Sequence, residues 1–263
     1  MPFFRIIMPN YNNSEWLEKS IGSVLEQTFK DYTFVFVDDV STDDSVDKAG
    51  KLIGDNGLVI GLNDKRWNGG ARNVGLDIDA FDVKYTLFLD SDDWFASPNV
   101  LQDLHDFIVA NNNPECVRLA YICEYDGNKQ LSVTLTDDNA EKLVKSEFVA
   151  CWTKCIKSDL IVPFPENTLM EDVVQHIHQC DAIGYNVSVY RKPVLVHNRN
   201  NLNSCTRKEN LNLQHGKWQS SMYRYMADLL DLELSKPYTI ATRDRKAEVC
   251  LKNIRDGKYT QSG

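Results

Sequence analysis

The chain has 263 residues, 43% of them apolar and 25% charged, with a net charge of −9. These values exclude a disordered or collagen-like chain and allow one large domain, alone or with an appendage. No apolar run reaches the roughly 20 residues that cross a bilayer, and the start, MPFFRIIMPNYNN, lacks the basic segment and cleavage site of a signal peptide. The expectation is a cytoplasmic protein whose only membrane contact would be peripheral.

The first half alternates strand and helix signals. Phe3–Met8 is a short apolar strand. Leu17, Ile21, Val24, Leu25 and Thr28 then recur at helical spacing, with Asn13 or Ser14 as N-cap. Thr33–Val37 is a second strand ending at Asp38-Asp39, followed by a helix that Ser41 or Asp43 would cap. Leu58–Leu62 is a third strand. Asn68-Gly69-Gly70 breaks the pattern before a helix over 71–78, and Tyr85–Leu89 is a fourth strand ending at Asp90. Ser97-Pro98 supplies an N-cap and a first-turn proline for another helix. Such alternation predicts an α/β fold with a doubly wound, mostly parallel sheet.

Beyond residue 115 the pattern changes. Cys116–Cys123 and Leu131–Leu135 flank Asp126-Gly127-Asn128, which reads as a hairpin turn in an antiparallel addition. From about 208 onward Leu211, Trp218, Met222, Tyr225, Met226 and Leu229 recur at helical spacing, with a further helix over 240–254. Residues 199–263 carry 12 basic and 7 acidic side chains, against 17 and 31 in the remainder. That split reads either as a basic surface for an anionic acceptor or as an ordinary solvated helical face. The seven cysteines are irregularly spaced without a CxxC pair, which fits reduced thiols, with Cys151 and Cys155 as apolar fillers.

The chemistry concentrates at strand ends. Asp90, Asp92 and Asp93 follow a buried strand, at the edge where open α/β sheets bind ligands. Clustered carboxylates repel one another; a hard divalent cation removes that cost and can bridge phosphate oxygens. The alternative is a loop of helix-capping aspartates. Tyr11 after strand one, and Asp39 and Asp43 after strand two, belong to the same edge. Singly, these read as packing and capping; jointly they read as a nucleotide site.

Ile6–Asn12, Ser20–Thr28, Val37–Asp43, Asn68–Gly75 and Leu89–Asp93, in this order, resemble the motifs of family 2 glycosyltransferases over residues 3–207. The resemblance implies the GT-A fold, a nucleoside-diphosphate sugar donor (UDP-linked by default), Mn²⁺ or Mg²⁺, and inversion at the anomeric carbon. It assigns Pro9, Tyr11 and Asp39 to the nucleobase, Arg72 to the nucleotide, Asp90 to the ribose and Asp92 to the metal. The family's usual glycine after the paired aspartates is Val40 here, a departure that touches loop geometry and spares the carboxylate.

Cys151-Trp152-Thr153-Lys154, followed by Glu171-Asp172, is similar to the family's acceptor-side W-x-K segment and its catalytic base. This implies Trp152 and Lys154 on the acceptor side and Asp172 as base, with Glu171 as the fallback. Favourable helix-dipole placement is the plainer reading of the pair. Val196–Arg207 resembles the segment that closes over the diphosphate, with Arg199, Ser204 and Thr206 at its matching positions. His197 is read either as a metal ligand or as structural. His176 and His178, two apart on a helix, make no i,i+4 metal pair.

The expected organisation is a catalytic domain over 1–207, with a nucleotide-sugar half to about 97 and an acceptor half from about 98, then a helical extension over 208–263. The leading acceptor is a glycan or surface polymer; a hydroxylated base in DNA is the alternative. A sugar-phosphate nucleotidyltransferase would need a glycine-rich, lysine-bearing N-terminal loop that the sequence lacks. A non-catalytic nucleotide-sugar binder would keep Asp92 without needing Asp172. Donor sugar and oligomeric state are not readable from the residues.

Overall fold

A computed structural model describes residues 1–78, 82–131, 150–166, 171–172, 175–176, 179, 183, 187–202 and 204. Its core is a nine-stranded sheet. The strands are β1 (Phe4–Asn10), β2 (Tyr32–Asp38), β3 (Leu58–Gly61), β4 (Tyr85–Phe88), β5 (Trp94–Phe95), β6 (Cys116–Tyr125), β7 (Asn128–Leu131), β8 (Lys154–Lys157) and β9 (Val187–Asn198). Their spatial order is β3-β2-β1-β4-β8-β6-β9-β5, with β7 paired to β6. β1 to β4 run parallel, β8 is antiparallel to both β4 and β6, and β9 is parallel to β6. The expected mixed, mostly parallel α/β sheet is therefore present.

The helices are α1 (Leu17–Leu25), α2 (Ser45–Ile53), α3 (Trp67–Leu76) and α4 (Val100–Ala110). β1 is buried along its whole length, because both sheet faces are covered, which is why it reads as a continuous apolar run. Leu17, Ile21 and Val24 of α1 and Leu101, Leu104 and Ile108 of α4 join Phe4, Ile6 and Met8 in the main core.

Several boundaries differ from the sequence reading for local reasons. α1 ends at Leu25, and Thr28 instead bonds the Pro98 carbonyl at 3.2 Å. Asn13 and Ser14 do not cap α1; their side chains go to Ser91 and Asp44. Ser41 is likewise spent on Asp38, while Asp43 does accept the Ser45 amide at 3.0 Å at the start of α2. α4 begins two residues beyond Pro98, and its Leu101 amide is taken by Gln27 Oε1 at 3.0 Å, a long-range cap that local spacing cannot reveal.

Gly69 and Gly70 lie inside α3 rather than before it. A Cβ on Gly69 would sit 2.4 Å from the Pro165 carbonyl oxygen, so the glycine serves close approach of helix to loop. The hairpin turn falls at Asp126 (φ 47°) and Gly127 (φ 74°), as the I′ geometry requires, but β7 is Asn128–Leu131 rather than 131–135. Positions 132–135 and the extension over 208–263 lie outside the described residues.

Val40 adopts the left-handed conformation that favours glycine, with φ 61°. A β-branched residue is strained there by roughly 1–2 kcal/mol. Val40→Gly should therefore raise stability in urea unfolding by about 0.5–1 kcal/mol, the strain relieved less the added chain entropy. A loss of stability would mean that the Val40 side chain contributes packing exceeding its backbone strain.

Candidate active site

The loops after β1, β2 and β3 are knitted together at one sheet edge. Asp38 is 1% exposed; its Oδ1 accepts from Asn10 Nδ2 at 2.8 Å and Ser41 Oγ at 2.6 Å, and its Oδ2 from the Ser41 amide at 2.8 Å. Asn12 Oδ1 accepts the Thr42 amide at 2.7 Å. Asp39 receives the Arg66 amide at 2.6 Å and the Trp67 amide at 2.8 Å, and Lys65 Nζ lies 3.3 Å from its Oδ2. Asp38 thus ties two loops and Asp39 ties a third. The same lysine ammonium is 2.7 Å from the centroid of the half-exposed Tyr11 ring and 5.2 Å from that of Trp67. Pro9 is buried within β1, opposite Val37.

The turn after β4 holds the acidic cluster, and each aspartate meets a different partner. Asp90 Oδ1 accepts from Arg72 Nη2 at 2.8 Å. Asp93 is fully buried and accepts the Asn198 amide at 2.8 Å, with His197 Nδ1 3.2 Å from each oxygen. Asp92 Oδ2 accepts from Asn201 Nδ2 at 2.7 Å. Burial, together with the charges of Asp93 and Asp90, pushes the Asp92 carboxyl up to about 7. Burial opposes protonation of His197, but the Asp93 hydrogen bond and the three carboxylates outweigh it and raise its pKa. The His197 ring stacks on Trp152, centroids 5.0 Å apart.

Arg72, 3% exposed on α3, also donates to Glu171 Oε1, so one guanidinium joins Asp90 after β4 to Glu171. Burial and the neighbouring Asp172 raise the Glu171 carboxyl, against the pull of Arg72. Asn73 is the next link: its Nδ2 donates to the Phe164 carbonyl at 2.9 Å and its Oδ1 accepts the Phe164 amide at 2.8 Å. α3 thereby docks the 163–166 loop that precedes Glu171 and Asp172. Asp172 is partly buried on the same helical turn, and its charge reaches the buried Cys151.

The sequence-derived site residues thus fall into connected groups: Tyr11 with Asp39, Arg72 with Asp90 and Glu171, and Trp152 with His197 beside Asp93. Lys154 is buried behind Trp152, with Nζ 3.2 Å from the Ala150 carbonyl. Arg199 has an exposed side chain, and its amide donates to the Glu124 carbonyl at 2.9 Å. Ser204 is half-buried, and Thr206 lies outside the described residues. Among the described residues no group of three or more His, Cys, Asp or Glu side chains is arranged to hold a metal ion. Sequence reading missed Lys65, Trp67, Asn73 and Asn201. Asn73 and Asn201 lie inside quoted motifs, whereas Lys65 and Trp67 act through contacts that spacing does not encode.

Comparison with known proteins identifies the family and the fold. The family model described as glycosyl transferase family 2 matches residues 5–192. Poly(ribitol-phosphate) beta-N-acetylglucosaminyltransferase TarP of Staphylococcus aureus is 37% identical over 113 residues, 41% of this chain and 33% of that protein. The matched stretches span between a third and about half of the curated relatives' own length. Among solved structures, S. aureus TarS 1–349 in complex with UDP-GlcNAc superposes with a TM-score of 0.67 at 18% identity, covering 98% of this chain and 93% of that one. The mannosyltransferase PcManGT of Pyrobaculum calidifontis, in complex with GDP-Man and Mn²⁺, gives 0.60 at 14%, covering 98% and 76%. The shared fold is GT-A, and with the family model spanning most of the chain, this protein belongs to glycosyl transferase family 2.

Proposed function

We propose that the chain transfers a sugar from a UDP-sugar to an acceptor hydroxyl on a glycan or surface polymer, with inversion and with Mn²⁺ or Mg²⁺ bound at Asp92. The observation that carries this reading is the asymmetry of the acidic cluster. Asp90 faces an arginine and Asp93 a histidine, whereas Asp92 receives only a neutral amide among the described residues. The uncompensated charge is therefore at Asp92, and a hard cation there would offset its burial.

The donor set fits such an ion. Asp92 supplies a carboxylate, and His197, whose Nδ1 is held by Asp93, would have Nε2 to give. Mg²⁺-like ions are commonly held by one or two protein groups with substrate phosphates completing the shell, which suits a site without three protein ligands. Bound there, the cation would neutralise charge on the departing diphosphate.

The chain's own residues do the rest. Tyr11 and Pro9 pack against the base beside Lys65 and Asp39, and Asp90, oriented by Arg72, meets the ribose. Arg199, Ser204 and Thr206 belong to the diphosphate, where arginine supplies paired donors. Trp152 and Lys154 shape the acceptor side. Asp172 takes the proton from the acceptor hydroxyl as it attacks opposite the leaving group, with Glu171 as fallback. Glu171 is the poorer base because its carboxylate is committed to Arg72. In this reading residues 1–207 form the catalytic unit. A glycan or surface-polymer acceptor is favoured over hydroxylated DNA because TarP, by its name, acts on poly(ribitol-phosphate), a polymer that is not a nucleic acid.

Asp172→Asn should lower transfer from a UDP-sugar by about 100-fold or more while leaving UDP affinity within twofold. Unchanged turnover would remove Asp172 from the base role. Asp92→Asn tests the burial of charge. The Asp92 pKa in the folded chain, about 7, lies above its ordinary value of 3.8, so the wild type loses stability as pH rises between those values. Without metal, the variant should melt about 2–4 °C above wild type at pH 8, a gap that narrows toward pH 5. A gap independent of pH would show that Asp92 carries no such cost.

A further inference from the structure

Asn201 lies just beyond β9 and is 2% exposed. Its Nδ2 donates to Asp92 Oδ2 at 2.7 Å and to Asn13 Oδ1 at 3.0 Å. Asn13 Nδ2 in turn donates to Ser91 Oγ at 2.9 Å. A primary amide has two N–H groups, and here both meet oxygen acceptors. Turning the Asn201 amide over would aim its carbonyl at two acceptors, so the direction of the chain is set by its contacts. Three segments distant in sequence are joined around one carboxylate.

The strand end that delivers Asn201 is itself anchored at the acidic cluster and at the hairpin. The Asn198 amide bonds Asp93 Oδ1 at 2.8 Å and its Oδ1 accepts the Asn200 amide at 3.0 Å. The Arg199 amide bonds the Glu124 carbonyl at 2.9 Å, and Asn200 Oδ1 accepts the Asp126 amide at 2.9 Å. Asn201 is thus held at a defined place rather than resting on a loose tail.

We propose that Asn201 is a positioning residue that occupies one oxygen of Asp92 with a neutral donor, so that the other oxygen alone is offered to a divalent cation. This rests on the metal-dependent reading above. A lysine or arginine at this place would also bond the carboxylate, but its charge would repel the incoming cation. A carboxylate held by one oxygen is a single-point ligand, which suits the octahedral geometry of Mg²⁺-like ions. Ca²⁺ also accepts a carboxylate through both oxygens. Asn201 therefore favours small octahedral cations over Ca²⁺, and it does so without touching the donor.

The test is calorimetric titration of the full chain with UDP in Mn²⁺, in Ca²⁺ and in EDTA. In Asn201→Ala the Kd for UDP in Mn²⁺ should rise about 10–100-fold, as is usual when a ligand's hydrogen-bond partner is removed. The Kd in EDTA should stay within about twofold, and the preference for Mn²⁺ over Ca²⁺ should fall. Asn13→Ala, which removes the far anchor of the amide together with its bond to Ser91, should move both quantities in the same direction by a smaller factor. A folded Asn201→Ala protein with wild-type Mn²⁺–UDP affinity and cation preference overturns the proposal. If that variant does not fold, unchanged values in Asn13→Ala overturn it instead. A wild-type chain that binds UDP equally with Mn²⁺ and with EDTA overturns the metal-dependent reading, and this inference with it.

Discussion

Three carboxylates delivered within four residues at the end of one buried strand cannot be left facing each other, and the site is organised around that repulsion. Each is answered from a different part of the chain: Asp90 by Arg72 of α3, Asp93 by His197 of β9, and Asp92 by Asn201 beyond it. Two of these partners are cationic or readily become so; the third is neutral. The balance is therefore incomplete, and Asp92 is the one of the three without a cationic hydrogen-bond partner among the described residues. A nucleoside-diphosphate donor and a divalent cation, arriving together, complete it in the proposed reaction.

The same solution joins the turn after β4 to the segment that carries Glu171 and Asp172. Arg72 spans Asp90 and Glu171, and Asn73 beside it docks the loop that leads to Glu171 and Asp172. Breaking a buried pair by removing one partner typically costs about 3–5 kcal/mol, so the link also constrains the fold. Close approach of α3 is possible because Gly69 leaves room for the Pro165 carbonyl. One helix thus positions the Asp90 carboxylate and the element that carries the proposed base.

The parallel sheet was legible because β1, β2 and β4 are short apolar runs, β1 ending at Asn10, β2 at Asp38 and β4 two residues before Asp90. The acidic cluster was legible as well, since three aspartates within four positions stand out locally. Its partners were not. Asn201 lies 109 residues from Asp92, and Glu171 lies 99 from Arg72. Asn13 was legible only as a helix cap, because capping is the local use of such a residue; tertiary contact to Ser91 overrides it. Gly69 and Gly70 resemble a helix breaker in sequence, yet both are helical, Gly69 packed against the Pro165 carbonyl and Gly70 against the Arg66 side chain. Val40 presents the converse case, a residue unsuited to its backbone between neighbours fixed by the bonds that Asn10 and the Ser41 amide donate to Asp38.

The central claim is that the acidic cluster binds a cation and a nucleotide as one unit. It is tested most directly by the thermal midpoint of the wild-type chain with Mn²⁺ alone, UDP alone, and both together. The account predicts that the shift with both exceeds the sum of the separate shifts, because each ligand supplies charge or oxygens that the other needs. A shift with UDP that is the same whether Mn²⁺ or EDTA is present would contradict it.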